Sequence, residues 1–314
     1  MHILVYIDQL AGAATGLSRE LLTGARALAG ADGRVDALLI GGDPAAVTGL
    51  GADRVLSIRD PRLDRYNPET FTACVAEVAD REKPDLLLFG YCTAGLDIAP
   101  YLAIGRDLPL VSYCTRIDAE GGCLNVESQI YGGKLVAASS VDLPAVLLVN
   151  PGVYREVEEG TDSAEIVEIA APDLAAAGTT FLSATEPDPN AVDITKAERL
   201  LCVGRGIGDK EAIEDAREAA RLLGAELVGS RPVIDAGWLP KERQVGKSGR
   251  KVKPRLYVAL GVSGAPEHLE GMATAGTIVA VNSDPRAPIF DHAHFGATVD
   301  AADFIEALTD ALDR

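Results

Sequence analysis

The chain has 314 residues, nearly half of them hydrophobic, which is enough for two ordinary domains each with its own core. Acidic residues outnumber basic ones 47 to 29, for a net charge of −18, and so acidic a surface excludes nucleic acid as the expected partner because phosphates would be repelled. No apolar run reaches the roughly 18 residues of a membrane-spanning helix, and no charged-then-apolar leader precedes the first strand-like run, so a cytoplasmic protein that is not membrane-spanning is expected.

In chain order, Ile3 to Ile7 reads as a buried strand and Ser18 to Ala29 as a helix with apolar residues at helical spacing. Val35 to Ile40 and Asp53 to Ile58 read as strands, Phe71 to Ala79 as a helix, and Asp85 to Phe89 as a further strand. Strands alternating with helices predict a parallel sheet covered by helices. Leu124 to Ile130, Leu135 to Ser140 and Ala145 to Val149 then follow one another across Gly132-Gly133 and Leu143-Pro144, which predicts hairpin-like, antiparallel additions. Glu186-Pro187-Asp188-Pro189-Asn190 suits neither helix nor central strand, so a boundary is placed there: residues 1–190 form one domain and 191–314 the other. In the second domain Arg199 to Val203, Leu256 to Leu260 and Thr277 to Val281 read as strands. Lys210 to Gly224 and Ala302 to Leu312 read as helices. The expected class is α/β, two domains with mostly parallel sheets and flanking helices, the C-terminal one Rossmann-like.

Five cysteines in no C-x-x-C pair point to free thiols rather than a zinc site or a disulfide framework. His292 and His294 are a weak metal pair at best and fit a loop better. Only eight of the 29 basic residues are lysines, a composition that fits a salt-rich source and a GC-rich genome equally well.

Three strands of the second domain end in small residues: Val203 runs into Gly204-Arg205-Gly206-Ile207-Gly208, Leu260 into Gly261-Val262-Ser263-Gly264-Ala265-Pro266, and Val281 into Asn282-Ser283-Asp284-Pro285. Ligands of parallel sheets lie outside such carboxyl ends. A helix starting near Ser263 or Gly264 would aim backbone N–H groups at a pyrophosphate. Each turn alone is an ordinary strand-to-helix connection, and Gly204 to Gly208 lacks the G-x-G-x-x-G spacing. A second signal is charge: seven basic residues and one acid lie between Lys241 and Arg255, around the loop Gln244-Val245-Gly246-Lys247-Ser248-Gly249. In so acidic a chain this suggests an anionic cofactor along the segment, the plainer reading being a loop that pairs with acids elsewhere.

Leu256 to Asn282, with its Leu-Tyr-Val-Ala-Leu-Gly-Val-Ser-Gly-Ala, His268, Gly271 and Ile-Val-Ala-Val-Asn, resembles the signature of the electron transfer flavoprotein α subunit. Gln244 to Gly249, Gly229 to Trp238 and Asn282 to Phe290 resemble it as well, in the family's order. Residues 1–190 are similar more loosely, through strand order and the Tyr131-Gly132-Gly133 turn. The resemblance implies FAD as cofactor and an electron carrier rather than an enzyme. It implies a heterodimer with the electron transfer flavoprotein β subunit, contacted by the first domain. Electrons would come from acyl-CoA or other flavin-linked dehydrogenases and go to the ETF-quinone oxidoreductase of the membrane.

The resemblance also assigns positions. Arg205 and Ser230 match cofactor contacts, and Arg231 matches an arginine against the isoalloxazine that favours its anionic reduced forms. Ser248, in the Gln244-Val245-Gly246-Lys247-Ser248 loop, stands where a hydroxyl bonds flavin N5. His268 matches a histidine at the pyrimidine carbonyl, where a donor or cation stabilises charge gained on reduction. Ser263, Gly264 and Ala265 lie at the helix start, Asn282 at the third strand end, and Asp300 with Ala301 toward the adenosine. Read without the resemblance, Asn282 is a turn residue and Asp300 an N-cap. Pro266-Glu267 replace the family's usual Ile-Gln, Lys247 a Gln and Ser248 a Thr, and Lys247 and Glu267 are expected to face each other as a compensating pair. Thr93 to Asp97 and Pro100-Tyr101 lack basic residues usual in the family. Two other readings are weighed: an NAD-dependent enzyme using the same crevice, which lacks the acidic residue closing a G-x-G-x-x-G unit, and a nucleotide-sensing module, which leaves the second domain unexplained.

Overall fold

The computed structural model of the chain describes residues 1–131, 133–158, 160, 163–174, 177–183 and 192–312. The chain divides into two compact units, Met1–Ser183 and Ala184–Arg314. The expected boundary stretch Glu186 to Asn190, and Gly132 of the expected turn, lie outside the described residues.

The first unit runs β1 (His2–Tyr6), the small ribbon β2 (Gln9–Leu10) and β3 (Ala13–Ala14), α1 (Gly16–Ala29), β4 (Arg34–Ile40), β5 (Arg54–Ile58), α2 (Pro68–Glu82), β6 (Leu86–Gly90), α3 (Thr93–Arg106), β7 (Leu110–Glu120), β8 (Cys123–Ile130), β9 (Leu135–Asp142), β10 (Ala145–Val149) and β11 (Glu165–Ile169). Both predicted helices start on side-chain caps. The Thr15 hydroxyl accepts from the Ser18 N–H, and Asn67, with Pro68 behind it, accepts from Glu69 and Thr70. Among the described residues these strands form a nine-stranded sheet in the order β11-β5-β4-β1-β6-β10-β7-β8-β9. The strands from β11 to β7 pair parallel, and β8 and β9 antiparallel. One apolar cluster packs α1 on one face, and a second packs α2 and α3 on the other.

One expectation needs correction, and α3, β7 and β11 lie where no element was expected. β10 does not continue the hairpins: it lies parallel between β6 and β7, and all five of its residues are buried. A strand apolar on both faces belongs in the covered middle of a sheet. The helix α3 was not foreseen, because Gly95, Pro100 and Gly105 interrupt its helical pattern while Tyr101 and Ile104 stand exposed on it. The strands β7 and β11 were also missed.

The second unit runs β12 (Arg199–Val203), α4 (Ala212–Leu223), β13 (Glu226–Gly229), α5 (Arg231–Asp235), β14 (Leu256–Leu260), α6 (Pro266–Leu269), β15 (Thr277–Val281), β16 (Phe295–Ala297) and α7 (Ala301–Leu312). Its five strands are all parallel, in the order β13-β12-β14-β15-β16. Numbered within the unit this is 2-1-3-4-5, a doubly wound order whose direction reverses between β12 and β14. One face packs α4 and α7, and the other is covered by Val245, Val252 and Met272 from the long connections. The short strands β13 and β16 were not foreseen. The helix expected near Ser263 or Gly264 starts at Pro266 and lasts one turn, because Gly264 sits at φ +83°, outside helical backbone. Among the described residues no helix is long and apolar enough to cross a membrane.

Candidate functional site

The reversal between β12 and β14 opens a crevice at their carboxyl ends, where doubly wound sheets hold ligands. A cavity of about 690 Å³ lies there, in the size range of cofactor sites. The glycines at its back act differently from expectation. A Cβ on Gly261 would stand 2.5 Å from the Gly206 carbonyl carbon, and one on Gly204 would strike the Gly261 carbonyl. The Gly206 N–H also donates to the Gly261 carbonyl at 3.1 Å. These glycines therefore close two strand ends on each other, and the ligand space lies in front of them.

The structure brings twelve of the seventeen expected residues to the cavity wall. Arg205 follows β12, and Ser230 and Arg231 follow β13. Ser230 N-caps α5 without spending its hydroxyl on the cap, and Arg231 pairs at 3.3 Å with Asp235 one turn on. Ser263, Ala265, Glu267 and His268 follow β14. Gln244, Val245, Gly246, Lys247 and Ser248 form the facing loop. The wall also includes Gly206, Pro232, Gly261 and Val262, which sequence reasoning left out although they sit inside the same strand-end turns.

The facing loop is held by its backbone. The Val245 N–H donates to Gly229 at 3.0 Å, Lys247 to Glu267 at 2.6 Å, and Arg250 to Gln244 at 2.7 Å. Val245 and Val252 anchor it in the core. The Gln244 side chain, buried behind the loop, receives Lys241 at 2.9 Å and donates to the Ser248 hydroxyl at 2.9 Å. Because Ser248 accepts there, its own O–H stays available to a ligand.

The basic segment is not laid along the cavity as a whole. Arg243 pairs with Glu226 at 3.1 Å, Lys251 with Glu270 at 3.1 Å, and Arg255 with Glu198 at 3.9 Å, so much of it pairs with acids as in the plainer reading. Lys247 alone of its cations lines the wall, joined by Arg205 and Arg231 from elsewhere. The expected Lys247–Glu267 pair does not form. Lys247 Nζ lies 3.7 Å from Glu270, one helical turn beyond, and among the described residues Glu267 carries no ion pair. The two loops do meet, but through the backbone, where the Lys247 N–H donates to the Glu267 carbonyl.

His268 is 6% exposed. Its Nε2 lies 3.0 Å from the Tyr257 hydroxyl, its Nδ1 is buried short of full hydrogen-bond geometry, and the Val245 backbone is a further polar neighbour of the ring. Burial pushes the imidazole from its ordinary 6.5 down to about 4, so the ring is neutral at pH 7 and is a donor, not a cation. The unfolded chain takes up this proton below about 6.5 and the folded chain only near 4, so the stability linked to His268 is whole above 6.5 and lost as pH falls toward 4. Thermal unfolding of the second unit should therefore fall across that window, and His268→Asn should flatten the fall. An unchanged pH profile in the variant would contradict the neutral ring.

Five expected residues lie outside the wall. Gly264 packs on the Ile289 backbone, and Pro266 opens α6. The Asn282 amide donates to the Val262 carbonyl at 2.9 Å while its oxygen accepts from Asp284 at 2.9 Å, which braces the turn that does line the cavity. Asp300 accepts from the Ala302 N–H at 2.8 Å as a cap for α7, with Ala301 buried at the same end. His294, of the weak metal pair, accepts the Ile278 N–H through Nδ1, and no metal-holding group of ligands occurs among the described residues. All five cysteines are free thiols.

Residues 3–174 match the electron transfer flavoprotein domain, and residues 193–273 match the electron transfer flavoprotein FAD-binding domain. The second match contains every wall residue and stops short of Asn282, Asp300 and Ala301. The chain is 33% identical, over 99% of its length and 98% of the relative's, to an electron transfer flavoprotein subunit alpha from Thermoanaerobacterium thermosaccharolyticum. It is 31% identical, over 93% of its length and 91% of the relative's, to the protein of the same name from Bacillus subtilis. An acryloyl-CoA reductase electron transfer subunit beta from Anaerotignum propionicum is 30% identical over 99% of this chain and 95% of its own.

Proposed function

The chain belongs to the electron transfer flavoprotein α-subunit family, whose members carry electrons rather than convert substrates, and from that premise we propose that its second unit holds FAD in the cavity between β12, β13 and β14. The observation that carries this reading is the meeting of three cations, Arg205, Arg231 and Lys247, with the hydroxyls of Ser230, Ser248 and Ser263, at the switch point of an otherwise strongly acidic chain. That donor set fits a group that is anionic at its phosphates and gains charge on its ring. The bound flavin supplies the redox chemistry. Arg231 and Lys247 bias the site toward negative charge, Ser248 offers its O–H, and Ser230 and Arg205 orient the phosphate-bearing part. In the extended reading the adenosine end runs past Asn282 toward Asp300 and Ala301.

The first unit is assigned to a β subunit that completes an α/β heterodimer. Its long hairpin of β8 and β9 ends in exposed Tyr131, Leu135 and Val136, apolar side chains that support a covered surface. Electrons are proposed to arrive from flavin-linked dehydrogenases, acyl-CoA dehydrogenases among them, and to leave to a quinone reductase. The test is the visible spectrum of the chain purified with its β subunit. A yellow flavin band that bleaches on reduction is expected, and a colourless complex that binds NAD tightly would overturn the reading.

A second expectation concerns Glu270, which sits between Lys247 and Lys251 and is one-fifth exposed. Glu270→Gln removes a negative charge beside the cavity cation. The midpoint potential of the bound flavin should then rise by a few tens of mV, the scale of one partly screened charge at about 10 Å. A fall in potential by spectroelectrochemistry would show that Lys247 does not act on the flavin.

A further inference from the structure

Just before the facing loop of the cavity, Lys241–Arg243 wind as one 3₁₀ turn that ends on Gln244. In such a turn, side chains three residues apart lie one above the other. Lys241 and Gln244 are spaced that way, and the Lys241 ammonium donates to Gln244 Oε1 at 2.9 Å. The other end of the same amide, Nε2, donates to the Ser248 hydroxyl oxygen at 2.9 Å. The Gln244 side chain is tightly held between them. The residue is 1% exposed, and a Cβ on Gly249 would stand 2.9 Å from its Cγ. Lys241 itself is exposed and is not part of the cavity wall. Among the described residues its ammonium makes no ion pair, so the amide oxygen is its partner.

The cation gives this chain of bonds its direction. The two ends of a glutamine amide have nearly the same shape, and either could face Ser248. An ammonium has three donors and no acceptor. It admits the amide oxygen and repels the amide N–H, so the N–H end is turned onto Ser248. The Ser248 oxygen therefore accepts, and its one proton has to go elsewhere. Among the described residues no protein group takes that proton, and Ser248 stands exposed on the cavity wall. With the amide reversed, its oxygen would face Ser248 and take the proton, and the hydroxyl would meet the cavity with lone pairs only.

We propose that Lys241 is a positioning residue of the cofactor site: through Gln244 it sets Ser248 as a hydrogen-bond donor toward the bound group. The proposal rests on the reading that the cavity holds FAD. It implies that Ser248 selects an acceptor atom on the ligand and disfavours an N–H in the same place. A bond from an ammonium to an amide oxygen is stronger than a neutral one. A residue outside the wall can thus fix the direction of a bond that it does not make.

The experiment is a double-mutant cycle on the α/β complex, with FAD removed and titrated back by flavin fluorescence. Ser248→Ala should weaken FAD binding roughly fivefold, the scale of one net hydrogen bond. Lys241→Met should weaken it by a smaller factor, about threefold, because the released amide turns its oxygen to Ser248 in part of the molecules. In the Ser248→Ala background Lys241→Met should cost nothing further, since the group it acts through is gone. Lys241→Arg, which keeps a cation with donors only, should restore most of the affinity. A cation acting on the phosphates from a distance would instead cost the same factor in both backgrounds. A merely structural role would lower the melting temperature in both. Additive losses overturn the proposal, and so does wild-type affinity in Lys241→Met or a loss in Lys241→Arg as large as in Lys241→Met. Failure of the FAD reading shows separately, as a wild-type complex without flavin absorbance that takes up no FAD, whereas additive losses in a yellow complex overturn the role of Lys241 alone.

Discussion

Asp36→Ala is expected to cost the first unit about 3 kcal/mol, toward the lower end of what breaking a buried ion pair costs. Asp36 sits on β4 with no exposure at all and gathers three basic side chains. Its carboxylate lies 2.7 Å from His2 Nε2, 2.6 Å from Arg54 and 3.3 Å from Arg34. Arg54 also reaches Glu82 and keeps a fifth of its side chain in water, so removing Asp36 leaves it strained for partners but not stranded. That is why the loss stays near the lower bound. The same contacts give the network a pH signature. Burial alone would raise the Asp36 carboxyl, but the hydrogen bonds and charges of His2 and Arg54 prevail and lower it from 3.8 to about 2. The unfolded carboxyl binds a proton below about 3.8 and the folded one only near 2, so this stability is complete above 3.8 and drains away as pH falls to 2, about 2 kcal/mol in all. Urea unfolding of the full chain at pH 7 and at acid pH reads both effects. A loss under 1 kcal/mol at neutral pH would mean that the network is incidental. The flavin band should survive in the variant, because the cavity belongs to the second unit.

Asp36 also shows where the sequence is silent. An acid within Arg34–Ile40 looks like one polar position on an amphipathic strand, and nothing local says that His2, Arg34 and Arg54 converge on it from three strands. Alternation of strand and helix was legible in the first unit because β1, β4, β5 and β6 are short apolar runs bounded by turn residues. β10 has the same apolar run, and its place was misread, since an apolar pentapeptide states that it is buried and not which strands flank it. The site follows the same rule. The turns after β12 and β14 could be read as strand ends, so the residues attached to them meet in the cavity, whereas Ser230 and Arg231 follow the unforeseen β13 and were placed only by the family resemblance. The partner of Lys247 could not: choosing Glu270 over Glu267 depends on the helical phase of α6 and on a main-chain bond at Glu267, both set by the fold. The glycines at the strand ends point to a nearby ligand in the sequence, and only the register of β12 against β14 reveals that they make room for each other.

Gly261→Ala should abolish stable flavin binding, through two costs that a single variant would confound. The first is conformational. Gly261 has φ +63°, where a residue with a Cβ loses about 1 kcal/mol or more. Gly237 has nearly the same backbone, φ +69°, with open space where a Cβ would go. Gly237→Ala therefore measures the conformational cost alone and should leave FAD in place. The second cost is contact. At Gly261 the new methyl would sit 2.5 Å from the Gly206 carbonyl carbon and 2.8 Å from the Ile207 nitrogen, both backbone atoms that no rotamer can move aside. The turns after β12 and β14 must separate, and with them Arg205 and Ser263, which stand on the two sides of that seam. Overpacking of this kind costs about 1–3 kcal/mol beyond the backbone strain, so FAD affinity should fall roughly a hundredfold or more. Flavin content after gel filtration, with titration of the FAD-free complex, measures the loss against Gly237→Ala as the matched control. A Gly261→Ala complex that keeps wild-type occupancy and affinity would mean that the strand-end seam does not shape the cofactor site.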